Sequence, residues 1–242
     1  KGGREKNLFR RVTLLFQLVI SIGFIFCASV IMKQLHFLNH SDVGMERKNR
    51  AALTIHDYSD SQAVLERIKQ VAEVEEVLAV SNPLIPSQGM MSRDYTDWEG
   101  KPEEAKDLNI EVMQIRKSFF DFYQLQLVAG RLWEAENHNI GHIDVIINES
   151  AVKAMGFVDP IGKEFMSIDK HPFHVIGVVK DFHTGPPTVP VQPLIFMGDS
   201  ELEYEVSTGG CIVLKYHPGQ WKELKAKVDE LLASEYPEVK YS

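Results

Sequence analysis

The strongest feature of the hydrophobic pattern is the run VTLLFQLVISIGFIFCASVIM, Val12 to Met32, 21 residues without a charge. At ~1.5 Å rise per residue a helix of this length spans roughly 30 Å, the thickness of a bilayer's hydrocarbon core. Gln17, Ser21 and Ser29 are polar, which a membrane helix tolerates, above all where it faces other helices. A buried soluble helix and a cleaved signal peptide are the alternatives. Uncharged runs this long are rare in soluble cores. The KQLHF that follows Met32 offers no small-x-small cleavage site, and Phe26 before Cys27 is too large for a lipoprotein signal. The pattern predicts a retained transmembrane helix over 12–32, then a polar stalk over 33–50 in which Gly44 and the charges after it end the helix.

Beyond the stalk the period changes. AALTIHDY reads as a strand, and SDSQAVLERIKQVAEV as a helix with N-caps at Ser59, Asp60 or Ser61. Its Val64, Leu65, Ile68, Val71 and Ala72 fall on one face, and VEEVLAV is the next strand. The C-terminal end repeats the arrangement: strand CIVLKY, a helix with Trp221, Leu224, Val228, Leu231 and Leu232 on one face, and a strand beginning at PEVKYS. The helix exits AEVEEV and SEYPEV look alike. Two such β-α-β halves completing one sheet give a ferredoxin-like split arrangement.

Between the halves an inserted mixed lobe is expected over about 82–140, with a proline-containing loop and a hairpin turning at EGK. SFFDFYQLQLVAGRLW reads as a short aromatic helix entering a strand. DVIINESAVKAMGF reads as a strand, a cap at Asn148, a short helix and a stop at Gly156. IGKEFMSIDKHPFHVIGVVKDF reads as a hairpin turning near Asp169-Lys170, and a proline-rich loop leads to the strand PLIFM. The fold class is therefore α+β: one N-terminal transmembrane helix, then a domain of two β-α-β halves over 51–242 with an inserted lobe.

Charge supplies an orientation. The first 11 residues carry Lys1, Arg4, Lys6, Arg10 and Arg11 against Glu5, a net of +4; the whole chain is −8, so the remainder is −12. A basic flank before a membrane helix stays in the cytoplasm. The domain from Lys33 onward is then expected outside, in the periplasm of a bacterial inner membrane. An acidic remainder argues against nucleic acid as a partner. The two cysteines, Cys27 in the apolar run and Cys211 in a strand, make no disulfide framework.

Chemistry is sparse. The chain has no GxxxxGK[ST] or GxGxxG phosphate cradle, no GxSxG elbow and no CxxC pair. His138 and His142 are four apart, but HNIGH contains Gly141 and lacks the Glu of HExxH. His171 and His174 flank a proline, as exposed turn histidines do. Met90, Met91 and Trp98 read as lobe packing, although an exposed methionine pair suits a hydrophobic partner. Lys180, Asp181 and His183 close the strand in FHVIGVVKDFH. Strand neighbours point to opposite faces, so Lys180 and Asp181 do not converge, and the expected role of Asp181 is to cap the turn. No catalytic, cofactor or metal residues are expected.

The order of the motifs carries a resemblance. The basic flank, FQLVISIGFIF, KQL, DVGMERKN, VAGRLW, VIINESAVKAMGF, DPIGKEF and HVIGVVKDFHTGPPTVPVQPLIF follow one another along nearly the whole chain. This is similar to the periplasmic core domain and preceding helix of FtsX/MacB-type ABC transporter permeases, in which VNExAxxxxG precedes PIGK and then IIGVVxDF. Asn148, Glu149, Ala151, Gly156, Pro160, Gly162, Lys163, Gly177, Val178, Asp181 and Phe182 match that pattern. The resemblance implies a porter-like domain with an inserted second lobe. It implies a permease subunit of an exporter or mechanotransmission complex, driven by a cytoplasmic ABC ATPase on a separate subunit or domain. The implied partners are that ATPase, further permease helices in a dimer of permeases, a periplasmic protein and membrane lipid. One helix stands where a permease has at least four, so a fragment of a longer protein is expected. The alternative is a membrane-anchored extracytoplasmic sensor or ligand-binding domain. The cargo is not legible.

Overall fold

The computed structural model describes residues 2–55, 61–80, 91–133, 142–185, 187–198 and 211–241. It divides into two compact units, 1–42 and 43–242. The first is one helix, α1 (Gly2–His40), longer at both ends than the apolar run that predicts it. Its segment Phe9–Leu38 is long and apolar enough to cross a membrane, and none of it is buried within the protein. The hydroxyls of Thr13, Ser21 and Ser29 donate to the carbonyls four residues earlier, at 3.0, 2.9 and 2.8 Å. Polar side chains that bond their own helix in this way carry no unsatisfied group into hydrocarbon.

The second unit contains two sheets. In the smaller, β1 (Arg50–Thr54), α2 (Ser61–Ile68) and β2 (Val74–Val80) form one half, and β10 (Cys211–Tyr216) with α5 (Trp221–Glu235) the other. The order is β1-β10-β2, with β10 antiparallel to both neighbours. An isolated bridge from Ile55 to Tyr241 extends the far side of β1, so the expected last strand is present as a single bridge. This is the split β-α-β order. In CIVL, Ile212 and Leu214 pack with Val64, Ile68, Leu224, Val228 and Leu232 under the two helices. Cys211 and Val213 face the other way with Leu78 and Val80. Both faces are covered, which is why this strand is apolar without alternation.

Every strand described between β2 and β10 belongs to the larger sheet. Its strands are β3 (Met91–Trp98), β4 (Leu108–Ile115), β5 (Leu127–Gly130), β6 (Ile143–Asn148), β7 (Glu164–Ser167), β8 (Pro172–Val179) and β9 (Leu194–Gly198). The order is β5-β8-β6-β9-β4-β3-β7, and β7 also pairs with β8. Six strands thus close into a ring, and β5 lies beside the C-terminal half of β8. The lobe expected to end near 140 continues through β9, because β6 and β8 supply the parallel pair that closes the ring. Pattern alone places strands but does not say which of them share a sheet.

The ring is filled by Tyr95, Trp98, Ile110, Val112, Val145, Ile147, Phe165, Phe173, Val175, Val178 and Ile195. Tyr95 is fully buried against Phe165 and Phe173, edge-on to both at 5.1 and 5.6 Å between ring centres. Burial pushes its phenol up to about 12. The helix α4 (Glu149–Met155) adds Ala151 and Met155 to this core, and the buried Trp98 Nε1 donates to the Met155 carbonyl at 2.9 Å. Outside the ring, Phe119, Phe120, Phe122 and Tyr123 of α3 (Ser118–Tyr123) join Ile146, Ile176 and Phe196 to Leu78, Val80 and Val213 of the smaller sheet. One continuous core therefore binds barrel and split sheet together.

Candidate functional site

The residues that carry the family pattern gather around β8 and α4. Asn148 ends β6 and is 1% exposed. Its Oδ1 accepts from the Ala151 N–H as the helix cap, and from the Leu194 N–H of β9, both at 2.9 Å. Its Nδ2 donates to the Gln192 carbonyl at 2.9 Å. One amide thus ties β6, α4 and the entry to β9.

Asp181 completes the same helix start. Its Oδ1 accepts from the Ser150 N–H at 2.9 Å, and its Oδ2 accepts from the Ser150 hydroxyl at 2.7 Å. Glu149 Oε2 in return accepts the Asp181 N–H at 2.9 Å. This is a capping box built from two segments about thirty residues apart. It corrects the expected role of Asp181, which caps a distant helix rather than its own turn. The reason is geometric: β6 and β8 are parallel neighbours, so the residues that leave both strands emerge at the same end.

The other matched residues frame this node. Gly156 takes the left-handed conformation that stops α4, with φ 71°. After Pro160, the Gly162 N–H donates to the Val175 carbonyl at 2.8 Å, and the Lys163 carbonyl accepts from the Val175 N–H at 3.0 Å. The Lys163 ammonium pairs with Glu99. A Cβ on Gly177 would meet the Arg131 carbonyl at 2.6 Å, so only glycine lets the chain leaving β5 lie this close. Val178 is in the barrel core, and Phe182 is buried in a stack on Phe196. Lys180 is exposed and His183 half-buried. The two do not converge with Asp181, whose carboxylate is turned to α4.

A second polar cluster lies at the opposite end of β8, and sequence reasoning missed it. His174 is inside the strand rather than in the hairpin turn, because the turn is taken up by 168–171. On the parallel neighbour, Asp144 is its register partner. His174 Nδ1 lies 3.1 Å from Asp144 Oδ1, and His142 Nε2 lies 3.4 Å from the same oxygen. The two imidazoles meet edge to face, 5.0 Å between centres. Asp144 is nearly enclosed, with its side chain 7% exposed. Its Oδ2 faces Arg131 at 4.0 Å, and its backbone carbonyl accepts from Trp133 Nε1 at 2.8 Å. His142, Asp144 and His174 are the residues among those described whose donor atoms, all within 4.8 Å of one another, are arranged to hold a metal ion. The only advance signal is HxD at 142–144. It acquires meaning once the pairing of β6 with β8 is known. His138, Met90 and the side chain of Met91 lie outside the described residues.

The family model described as the MacB-like periplasmic core domain matches residues 13–231. Among solved structures, the periplasmic region of MacB from Actinobacillus actinomycetemcomitans aligns with TM-score 0.51 and 19% identity, over 83% of this chain and 89% of that one. A domain described as belonging to a permease protein from Porphyromonas gingivalis aligns with TM-score 0.54 and 16% identity, over 80% and 88%. The extracellular domain of the ABC-type transporter YknZ from Gram-positive bacteria aligns with TM-score 0.50 and 18% identity, over 76% and 92%. No curated protein matches the sequence.

Proposed function

The chain belongs to the family of MacB-like periplasmic core domains, and we propose that it acts as an extracytoplasmic domain of an ABC-type permease together with the membrane helix that precedes it. In this reading a cytoplasmic ATPase, on a separate subunit or domain, drives the membrane helices. The domain converts their movement into a conformational signal or an export stroke outside. The observation that carries the reading is the reach of the family match, which takes in both the apolar helix and the domain that follows it. The fold suits the transmission of force. Barrel and split sheet share one aromatic core, so a displacement applied to the domain moves both instead of being absorbed between them. The basic flank, +4 over residues 1–11, keeps the start of α1 in the cytoplasm.

The test is topology followed by coupling. A thiol reagent that cannot cross membranes should label Glu104→Cys, in the exposed β3–β4 turn, in intact cells, and should miss Gly2→Cys. The native Cys211 gives little background, because burial pushes its thiol up to about 11 and keeps it protonated. A cytoplasmic ABC ATPase should copurify from native membranes, and ATP should change the label's mobility at position 104. Labelling of Gly2→Cys from outside refutes the orientation. Correct orientation without an ATPase would favour a membrane-anchored sensor instead.

A further inference from the structure

We propose that His142, Asp144 and His174 form a binding site for a divalent transition-metal ion of the zinc class, with one coordination position left open. The argument starts from spacing. Zinc holds imidazole nitrogen and carboxylate oxygen at about 2.0–2.2 Å in a tetrahedron, which sets neighbouring donor atoms about 3.3 Å apart. Here the two nitrogens stand 3.1 and 3.4 Å from the same carboxylate oxygen. Two of the three donor separations already match what the ion requires, and all three donor atoms lie within 4.8 Å of one another, so binding needs side-chain rotation and little movement of the backbone.

The donor set selects the ion. Two imidazoles and one carboxylate suit zinc and its borderline neighbours, whereas calcium and magnesium require oxygen ligands throughout. The mounting is rigid in the way such sites need. Asp144 and His174 are register partners on adjacent parallel strands, and His142, in the bend just before β6, reaches the same carboxylate oxygen. Arg131 stands 4.0 Å from the second oxygen, Oδ2, and supplies the outer-shell partner that ligating carboxylates have. The indole of Trp133, held on the Asp144 carbonyl, fixes the strand behind the ligand. Three protein donors leave a fourth position for water or for a group offered from outside, and both histidines are part-exposed, so the ion has a way in. None of the eleven residues of the family pattern takes part. The proposal therefore does not depend on the transport reading.

The test uses the full chain in detergent, stripped with a chelator. Zinc titrated by calorimetry should bind once per chain, and cobalt(II) should develop the visible absorption of a four-coordinate site with nitrogen ligands. His142→Gln, Asp144→Asn and His174→Gln should each weaken binding by more than about 100-fold, beyond the roughly 10–100-fold of an outer-shell change. His171→Gln, an exposed histidine on the same hairpin, should leave it unchanged. Metal should also raise the melting temperature of the wild type and not of the three variants. His142→Gln, at the edge of β6, keeps the test valid if Asp144→Asn misfolds. Absence of binding by the wild type overturns the proposal, as does binding that survives the three substitutions or disappears with His171→Gln.

Discussion

The two ends of β8 are built on opposite terms. At the C-terminal end Gly177, Val178, Asp181 and Phe182 are each consumed by the fold: one admits the chain leaving β5, one fills the barrel, one caps α4 and one stacks on Phe196. Near the N-terminal end His174 faces outward and meets His142 around a single carboxylate oxygen, where neither ring fills the core. The matched residues at the C-terminal end each make a packing or hydrogen-bond contact within the fold. The two imidazoles and the carboxylate at the other end lie outside the matched residues. The resemblance and the proposed metal site point to different places on one strand.

The sharpest way to break this contrast is Val178→Asp. Val178 is 4% exposed within the barrel, between strands that leave it no polar partner. An unpaired carboxylate there costs several kcal/mol, a large share of the roughly 5–15 kcal/mol that holds a domain together. Circular dichroism of the purified chain should show the domain unfolded. A folded Val178→Asp protein would mean that the barrel admits water, and that its core is not the closed packing of aromatic and branched side chains.

Asn148→Ala comes next. It removes the α4 cap and strands the Leu194 N–H and the Gln192 carbonyl, both of which lose their partner. A loss of about 3 kcal/mol is expected in chemical denaturation. Asp181→Ala removes the second half of the same cap and should cost about 1–2 kcal/mol. If the two act as one unit, the double variant will lose less than the sum of the single ones. His174→Gln in metal-free protein should cost no more than about 1 kcal/mol, one hydrogen bond at a part-exposed site. A cost as large as that of Asn148→Ala would erase the difference between the two ends.

What is legible in the sequence follows from the range of each interaction. Helix stops and caps depend on neighbours in sequence, so Asn148 as a cap, Gly156 as a stop and the EGK hairpin are readable. The amphipathic faces of α2 and α5 are readable too, because period alone reveals them. What is not readable depends on which strands meet. The β7–β8 hairpin is readable from its turn, but the ring closes through β7 on β3 and β6 on β8, pairings between segments with no mutual signal in their residues. Sequence alone therefore assigns Asp181 to its own turn, although its partner, Ser150, is 31 residues away. For the same reason it places His174 in the hairpin turn, and the link to Asp144 stays invisible until the strands are paired.

Lys180→Ala should have the smallest effect, and it bears most directly on the stretch FHVIGVVKDFH. The Lys180 side chain is exposed. Its structural contribution is a backbone one: its N–H donates to the Gln126 carbonyl at 2.9 Å, a bond that alanine keeps. No buried surface is lost and no partner is left unsatisfied, so stability should change by no more than about half a kcal/mol. The neighbouring Asp181, one residue further on, should cost several times that, because its side chain rather than its backbone does the bonding. Transport or signalling by the assembled complex should likewise be unchanged in Lys180→Ala cells. Denaturation midpoints measured beside activity in cells separate the two effects. A Lys180→Ala protein as stable as the wild type that nevertheless fails in cells would place a partner contact at this end of β8, and the claim that the motif is wholly structural would fall.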